Sequence, residues 1–264
     1  MLRSMYSGIS GMKNFQVKLD VIGNNISNVN TYGFKKGRTT FKDMVSQQIS
    51  GASAPGNGQG GVNPKQVGLG SQIATIDTVH TQGSLQTTGR TLDLSISGDG
   101  WFRLQRPGGG EVYTRSGNFY LDKAGDLVNA DGYYVLNDNG SKINVPTTAK
   151  SLSIGSDGKV SYVNTSGTLV ANNTIGIAKF SNNDGLQKTG QNLFEATTNS
   201  GTPQNETPGE DGAGTIVAGT LEMSNVDLSE EFTEMIVAQR GFQANTRIIS
   251  TSDQILEELV NLKR

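Results

Sequence analysis

Cysteine is absent from the 264 residues, histidine and tryptophan occur once each, and charged side chains make up only 17%. Each shortage removes a class of function. Without cysteine there are no disulfides, no thiolate metal sites and no thiol nucleophile. A catalytic or metal-binding histidine works with partners, and His80 has no recognisable carboxylate cluster around it, so it reads as a structural or surface residue. Net charge is −2, with no basic patch beyond Lys35-Lys36-Gly37-Arg38. A phosphate backbone needs several clustered cations, so nucleic acid is not an expected partner. No run of 18 apolar residues is present, which argues against a membrane span. Residues 1–20 carry polar or charged side chains every few positions and lack the apolar core of a signal peptide. A role outside the cell would then need export without signal cleavage.

Chemistry-bearing motifs are missing as well. There is no GxxxxGK[ST], no GxGxxG between a strand and a helix, and no Gly-x-Ser-x-Gly elbow. The acidic turns from Asp122 to Asp131 lack the regular spacing and closing Glu of a calcium loop. No catalytic, cofactor or metal residues are expected, and the chain is not expected to be an enzyme. Asn, Gln, Ser and Thr take the place of charge, which suits protein contacts through a neutral, hydrogen-bonding surface.

What the sequence does have is apolar periodicity at both ends. Met5, Met12, Leu19 and Ile26 repeat every seven residues, with Ile9, Phe15 and Ile22 widening the stripe. Leu228, Met235, Phe242, Ile249 and Leu256 repeat in the same way, and Asp227 followed by Glu230 reads as a cap at that helix's start. Sevenfold spacing is the signature of a helix seam. Asn245 and Ser252 fall where an apolar residue would normally widen the second seam. A single-stripe helix is marginal alone in water, so both ends need a partner: each other, a body domain, or neighbouring copies.

Between them the pattern is β-like. Leu92, Leu94 and Ile96 alternate, Gly98-Asp99-Gly100 reads as a turn, and Trp101 to Leu104 as the returning strand. Gly-containing turns recur at 108–110, 124–125, 131–132, 139–140, 157–158 and 184–185. Residues 51–61, GASAPGNGQGG, read as a flexible loop. The expected fold is α+β: an antiparallel all-β middle domain flanked by N- and C-terminal heptad helices that form a coiled-coil-like inner layer. Its segments are an inner helix at 1–30, a connecting segment with the Gly-rich loop at 31–70, the β domain at 71–222 and a second inner helix at 223–264.

The stretch LDVIGNNISNVNTYGFK (19–35) places Asn24, Asn25, Asn28 and Asn30 where a helix gives way to a turn at Tyr32-Gly33-Phe34. Asparagine bonds backbone locally and ends helices, and glycine supplies the freedom of the turn. Together with SNVDLSEEFTEMIVAQRGFQANTRIISTSDQILEELVNLKR (224–264), TQGSLQTTGRTLDLSISGDGWFRL (81–104) and YTRSGNFYLDKAGDLVNADGYYVL (113–136), this stretch resembles the flagellar axial family, the rod and hook proteins of the bacterial flagellum. The resemblance spans nearly the whole chain.

It implies paired terminal helices forming the inner wall of a hollow helical homopolymer, outside the cell envelope and attached to the basal body. Export by the flagellar type III apparatus is implied, with Phe41 and Val45 as the export element. The signature turn (Asn24, Asn25, Asn28, Tyr32, Gly33, Phe34) would join helix to connecting segment, with Tyr32 and Phe34 anchoring it on a neighbouring subunit. The C-terminal motifs MIVAQR and LVNLK are similar to hook sequences and imply a short hook protein, a flexible joint passing motor torque. Its partners would be further copies, the distal rod protein, the hook cap and the hook–filament junction proteins. A distal rod protein is the alternative, suggested by the Gly-rich insertion at 51–61 and the short length. A carbohydrate-binding β module with helical trimmings is the competing class; it would keep its activity without residues 1–30 and 228–264.

Overall fold

The computed structural model describes residues 2–55, 60–210 and 212–262, with only the backbone of Leu2 and Asn172. The middle of the expected Gly-rich loop, and the first and last positions of the two helical segments, lie outside the described residues. The architecture is α+β, with a middle of antiparallel strands between two terminal helices. Every strand pairing among the described residues is antiparallel. The chain forms two compact units: Met1–Ser27, Gly37–Thr78 and Asp227–Arg264 in one, Asn28–Lys36 and Val79–Val226 in the other.

In the helical unit, α1 (Leu2–Ser27) and α2 (Leu228–Asn261) run antiparallel. Gly8 faces Ile249, Gly11 faces Asn245, Phe15 lies on Gly241, and Lys18 pairs with Glu234. Asp227 caps α2, accepting hydrogen bonds from the backbone of Ser229 and Glu230.

The line of closest approach joins one heptad line, Gly8, Phe15 and Ile22, with small and polar residues. Fully buried positions are Gly8, Gly11, Asn14, Ile22 and Asn25 on α1, and Glu231, Ala238 and Ser252 on α2. Met5, Ile9, Met12, Phe15, Leu19, Ile26, Met235, Phe242, Ile249 and Leu256 are half-buried, and Leu228 is exposed. The reason is steric. A Cβ at Gly241 would sit 2.5 Å from the Phe15 ring, and one at Gly11 2.8 Å from the Asn245 amide oxygen. Small residues let the two backbones approach, and the large side chains splay to either side. The polar seam residues satisfy themselves on their own helix: Asn245 donates to the Gly241 carbonyl (2.9 Å) and Ser252 to that of Ile248 (2.8 Å).

The expected connecting segment contains three strands. β1 (Gly37–Asp43) and β2 (Ser46–Ser50) pair with β4 (Ser71–Thr78) and β3 (Lys65–Gly68), respectively. The Met44 to Gly70 hydrogen bond joins the two ladders, and a Ser53–Val62 bridge extends them outward. The base of this ribbon rests on α1: Asn14 donates to the Ser71 hydroxyl (2.9 Å), and the Phe15 and Phe41 rings lie 6.0 Å apart. From 41 to 69, every described side chain is exposed.

The other unit is all-β apart from a 3-10 turn at Asn183–Gly185. Its strands begin with β5 (Leu85–Thr87), β6 (Leu94–Ser97), β7 (Trp101–Gln105), β8 (Glu111–Thr114), β9 (Tyr120–Leu121), β10 (Leu127–Val128) and β11 (Tyr134–Val135). A three-stranded sheet follows: β12 (Ser151–Ile154), β13 (Lys159–Val163) and β14 (Leu169–Thr174). The chain closes with β15 (Ile177–Lys179), β16 (Gln187–Gly190), β17 (Leu193–Glu195), β18 (Gln204–Glu206), β19 (Thr215–Ala218) and β20 (Thr220–Glu222).

The largest sheet is ordered β16-β17-β8-β7-β11-β10-β9, with β15 bridging β7 and β18. It is covered on both faces. Phe102, Leu104, Ile177 and Leu193 point into one core with Leu94, Phe119 and Ile216; Trp101, Tyr113, Ala178 and Phe194 point into a second with Phe180 and Leu186. That explains why every residue from Trp101 to Leu104, Arg103 included, is buried.

One expected hairpin does not form. β6 pairs with β19, not with β7. Gly98 and Gly100 have φ of +108° and +138°, and a Cβ at Gly100 would lie 2.2 Å from the Ile177 side chain. These glycines pass the chain from one sheet to the next instead of folding it back.

Two helix glycines separate propensity from packing. Gly23 of α1 has open space where a Cβ would go, so Gly23→Ala should stabilise the helical unit by about 1 kcal/mol. Gly241→Leu should destabilise it by about 1–3 kcal/mol through overpacking against Phe15. Urea unfolding followed by far-ultraviolet circular dichroism checks both signs.

Candidate assembly site

The signature turn lies at 28–36, immediately after α1. Thr31 N–H returns to the Asn28 carbonyl (3.1 Å), and the Thr31 hydroxyl bonds the Asn28 side chain (3.2 Å). Gly33 has φ of +68°, and a Cβ there would lie 2.6 Å from the Ser116 nitrogen. No larger residue fits both the backbone conformation and that approach. Gly33 N–H donates to the Glu222 carbonyl (2.8 Å). Phe34 is buried within its own chain beneath the Lys188 ammonium (5.0 Å from the ring centre), which corrects its expected role on a neighbouring subunit. Tyr32 is half-buried, and its carbonyl accepts from the Asn192 amide (3.2 Å).

Next comes a buried charge cluster. The Lys35 ammonium donates to a Glu222 carboxylate oxygen (2.6 Å) and to the Thr81 carbonyl (2.8 Å). The same carboxylate accepts from the Gly83 backbone (3.0 Å) and the Arg115 guanidinium (3.3 Å). The three side chains are 1%, 0% and 5% exposed for Lys35, Glu222 and Arg115. Burial pushes both cations below their ordinary pKa values, and Glu222 pulls each back up. Asn225 completes the stitch. It accepts from Lys36 N–H (2.8 Å) and donates to the Val79 carbonyl (2.8 Å).

Of the asparagines, Asn25 is the buried one in α1, while Asn24 is exposed. The Asn25 amide pairs with both backbone groups of Gly37, donating to the carbonyl and accepting from the N–H at 2.9 Å each. Its remaining proton goes to the Glu231 carboxylate (3.1 Å). One amide thus joins α1, β1 and the first turn of α2. An aspartate would lack both donors.

The helical unit also carries apolar surface that its own chain leaves open. On α2, Phe232, Ile236, Val237, Ile248, Ile255, Leu259 and Val260 are exposed, Ile236 by 59%. On the ribbon, Val45 (80%), Ile49, Val62, Val67 and Leu69 are exposed. Phe41 and Val45, the expected export element, sit on β1 and just beyond it; Phe41 packs on Phe15 while Val45 touches no core. Among the described residues no helix is long and apolar enough to cross a membrane.

Sequence reading singled out the turn but missed Lys35, Glu222, Arg115 and Asn225 as its supports. Lys35 looked like part of a small basic patch. The one available signal was the position of Lys35 directly after a buried aromatic.

Glu222→Gln should lower stability by about 3–5 kcal/mol, because two buried cations lose their carboxylate. Lys35→Met combined with Glu222→Leu should recover part of that loss. Urea titration read by the single tryptophan measures both. Asn25→Ala should cost about 1–3 kcal/mol by leaving both Gly37 backbone groups without their partner; Asn24→Ala should stay within about 0.5 kcal/mol. Equal effects would contradict the role given to Asn25.

Three family models match this chain. They are described as flagella basal body rod protein (residues 5–35), flagellar hook protein FlgE/F/G D1 domain (95–162) and flagellar basal body rod FlgEFG protein C-terminal (217–262). The first takes in α1 and the signature turn, and the last takes in Glu222, Asn225 and α2. The flagellar basal-body rod protein FlgG of Bacillus subtilis (strain 168) is 64% identical over 265 positions, with both chains covered completely. The FlgG of Borreliella burgdorferi is 39% identical over 269 positions, again with both covered completely. The flagellar hook protein FlgE of that organism is 31% identical, also with both chains covered, but over 442 positions, so a large part of it has no counterpart here. The chain belongs to the family of flagellar hook and basal-body rod proteins.

Proposed function

We propose that this chain is a structural subunit of the distal rod of the flagellar basal body, without catalytic activity, that polymerises with copies of itself. The observation that carries the reading is the end-to-end 64% identity to a rod protein over 265 positions, against 31% to a hook protein over a much longer alignment. The short-hook expectation rested on C-terminal motifs, and those lie on a helix pair whose architecture rod and hook proteins share within one family. The hook cap and hook–filament junction proteins fall away as partners; hook protein becomes the neighbour at one end.

The physical basis for polymerisation is the surface left open. Each of these α2 side chains is about half exposed and gains roughly 1 kcal/mol when the rest is buried. A two-stranded ribbon with no buried face is marginal alone, so Val45, Ile49, Val62, Val67 and Leu69 also call for a neighbour. Helices and ribbon belong to one unit, so one assembly step can cover both. The neutral surface lets subunits stack without accumulating charge. Export by the flagellar type III apparatus would use Phe41 and Val45, which are exposed in the single chain.

An epitope inserted in the open turn at Gly108–Gly110 and gold-labelled on isolated flagella tests the location. Label confined to a straight shaft, uncovered by stripping the envelope, is the expected result. Label along a curved external segment would restore the hook reading. A functional tagged chain that stays soluble and off the flagella would overturn axial assembly altogether.

A further inference from the structure

His80 is the sole histidine and Trp101 the sole tryptophan, and they touch. The imidazole stands edge-on to the indole at 5.4 Å and to the Phe194 ring at 5.9 Å. Trp101 and Phe194 close the clasp at 4.6 Å. The His80 side chain is 9% exposed, and neither ring nitrogen has a hydrogen-bonding protein partner among the described residues. A neutral ring tolerates that environment; an imidazolium would bring two donors and a charge into it.

The charged groups around it favour the neutral ring. Lys35 from the signature turn, Lys188 from β16 and Arg115 after β8 all oppose a positive charge at His80. The carboxylate that favours one is Asp184 on the 3-10 turn, 3.9 Å from Nε2 and largely exposed. The 3-10 turn is itself tied to the clasp, since the Trp101 indole N–H donates to Asn183 (3.2 Å).

His80 also sits at a structural joint. The carbonyls on either side of it, Val79 and Thr81, are gripped by Asn225, and Thr81 also by Lys35. Val79 N–H in turn donates to the Lys36 carbonyl (2.9 Å). The ring is thus carried by the strap that holds the signature turn.

We propose that His80 is an acid-sensitive latch: on protonation its ring leaves the Trp101–Phe194 clasp, and residues 79–81 release their hold on the 28–36 turn. Burial, the largest cause, lowers the His80 pKa from 6.5 to about 4. The sign follows from linkage. The unfolded chain takes up the proton first, so the neutral latch stabilises the fold fully above about pH 6.5, and that contribution is lost as pH falls through about 4. Acidification would thus act on the turn through the Trp101–Phe194 core.

The test uses the full-length monomer. Its imidazole gives one histidine signal in proton NMR, and its indole gives one fluorescence emission. The imidazole is expected to titrate near 4, with a reversible change in Trp101 emission and faster amide exchange at 28–36 over the same range. From pH 7 to 4 the folded-to-unfolded ratio should fall roughly 10- to 100-fold more in the wild type than in His80→Phe. An imidazole titrating near 6.5 would overturn the proposal without any variant. So would an unaltered emission transition in His80→Phe, or acid exchange at 28–36 that does not follow the histidine.

Discussion

The β unit is organised around one carboxylate. Glu222 gathers Lys35, Gly83 and Arg115 on its side chain and Gly33 on its backbone. These groups come from three separate stretches of sequence, each distant from Glu222 itself. Such a cluster is a poor source of net stability, because desolvating three charges offsets most of what their attraction returns. Its value lies in specificity. The carboxylate accepts from two cations and a backbone amide at once, and a displaced turn would leave at least one buried charge alone. The 28–36 turn is nine residues long, contains no strand and sits on a β domain it precedes by more than forty residues. Directional bonds hold it where hydrophobic packing alone would leave its register open.

The helical unit solves a related problem with small residues. Glycines at 8, 11 and 241 bring α1 and α2 into close contact, and this pushes the large apolar side chains outward. A seam of leucines would have consumed that surface inside the monomer. The glycine line instead makes the pair self-consistent while leaving Phe232, Ile236, Val237 and their neighbours available. Asn25 plays the part in this unit that Glu222 plays in the other. It is a buried polar group whose every bond is used, fixing where β1 starts relative to both helices.

Fold class was legible because it depends on period. Sevenfold apolar spacing at the ends and glycine-punctuated strands between them leave few alternatives to helices flanking an antiparallel β middle. Pairing was less legible. Leu94–Ile96 and Trp101–Leu104 look like two arms of a hairpin, and only the crowding of Gly100 against Ile177 reveals that the chain changes sheets there. The seam is a similar case: periodicity reports which residues share a helix face, not which line on that face lies closest to a partner. Gly8 falls on the heptad line of Phe15 and Ile22, yet a glycine gives no signal on a scale of apolarity. In the turn, Gly33 and the asparagines were visible as local chemistry. Glu222 and Arg115 were not, since nothing near them in sequence marks them as partners of Lys35.

The hook and rod readings diverge for the same physical reason. Motifs in the terminal helices encode close packing and an outward apolar face, and every member of an axial family needs both. Such motifs identify the family and say little about curvature or position. What separates a rod subunit from a hook subunit has to lie in surface that only neighbours touch: the described ribbon residues from 41 to 69, all exposed, and the outer faces of the β unit. Those regions carry weak periodicity, many glycines and few charges. Their composition fits more than one partner, whereas overall length and end-to-end identity constrain the whole set of neighbour contacts at once. The ribbon, whose described side chains from 41 to 69 are all exposed, is one such surface.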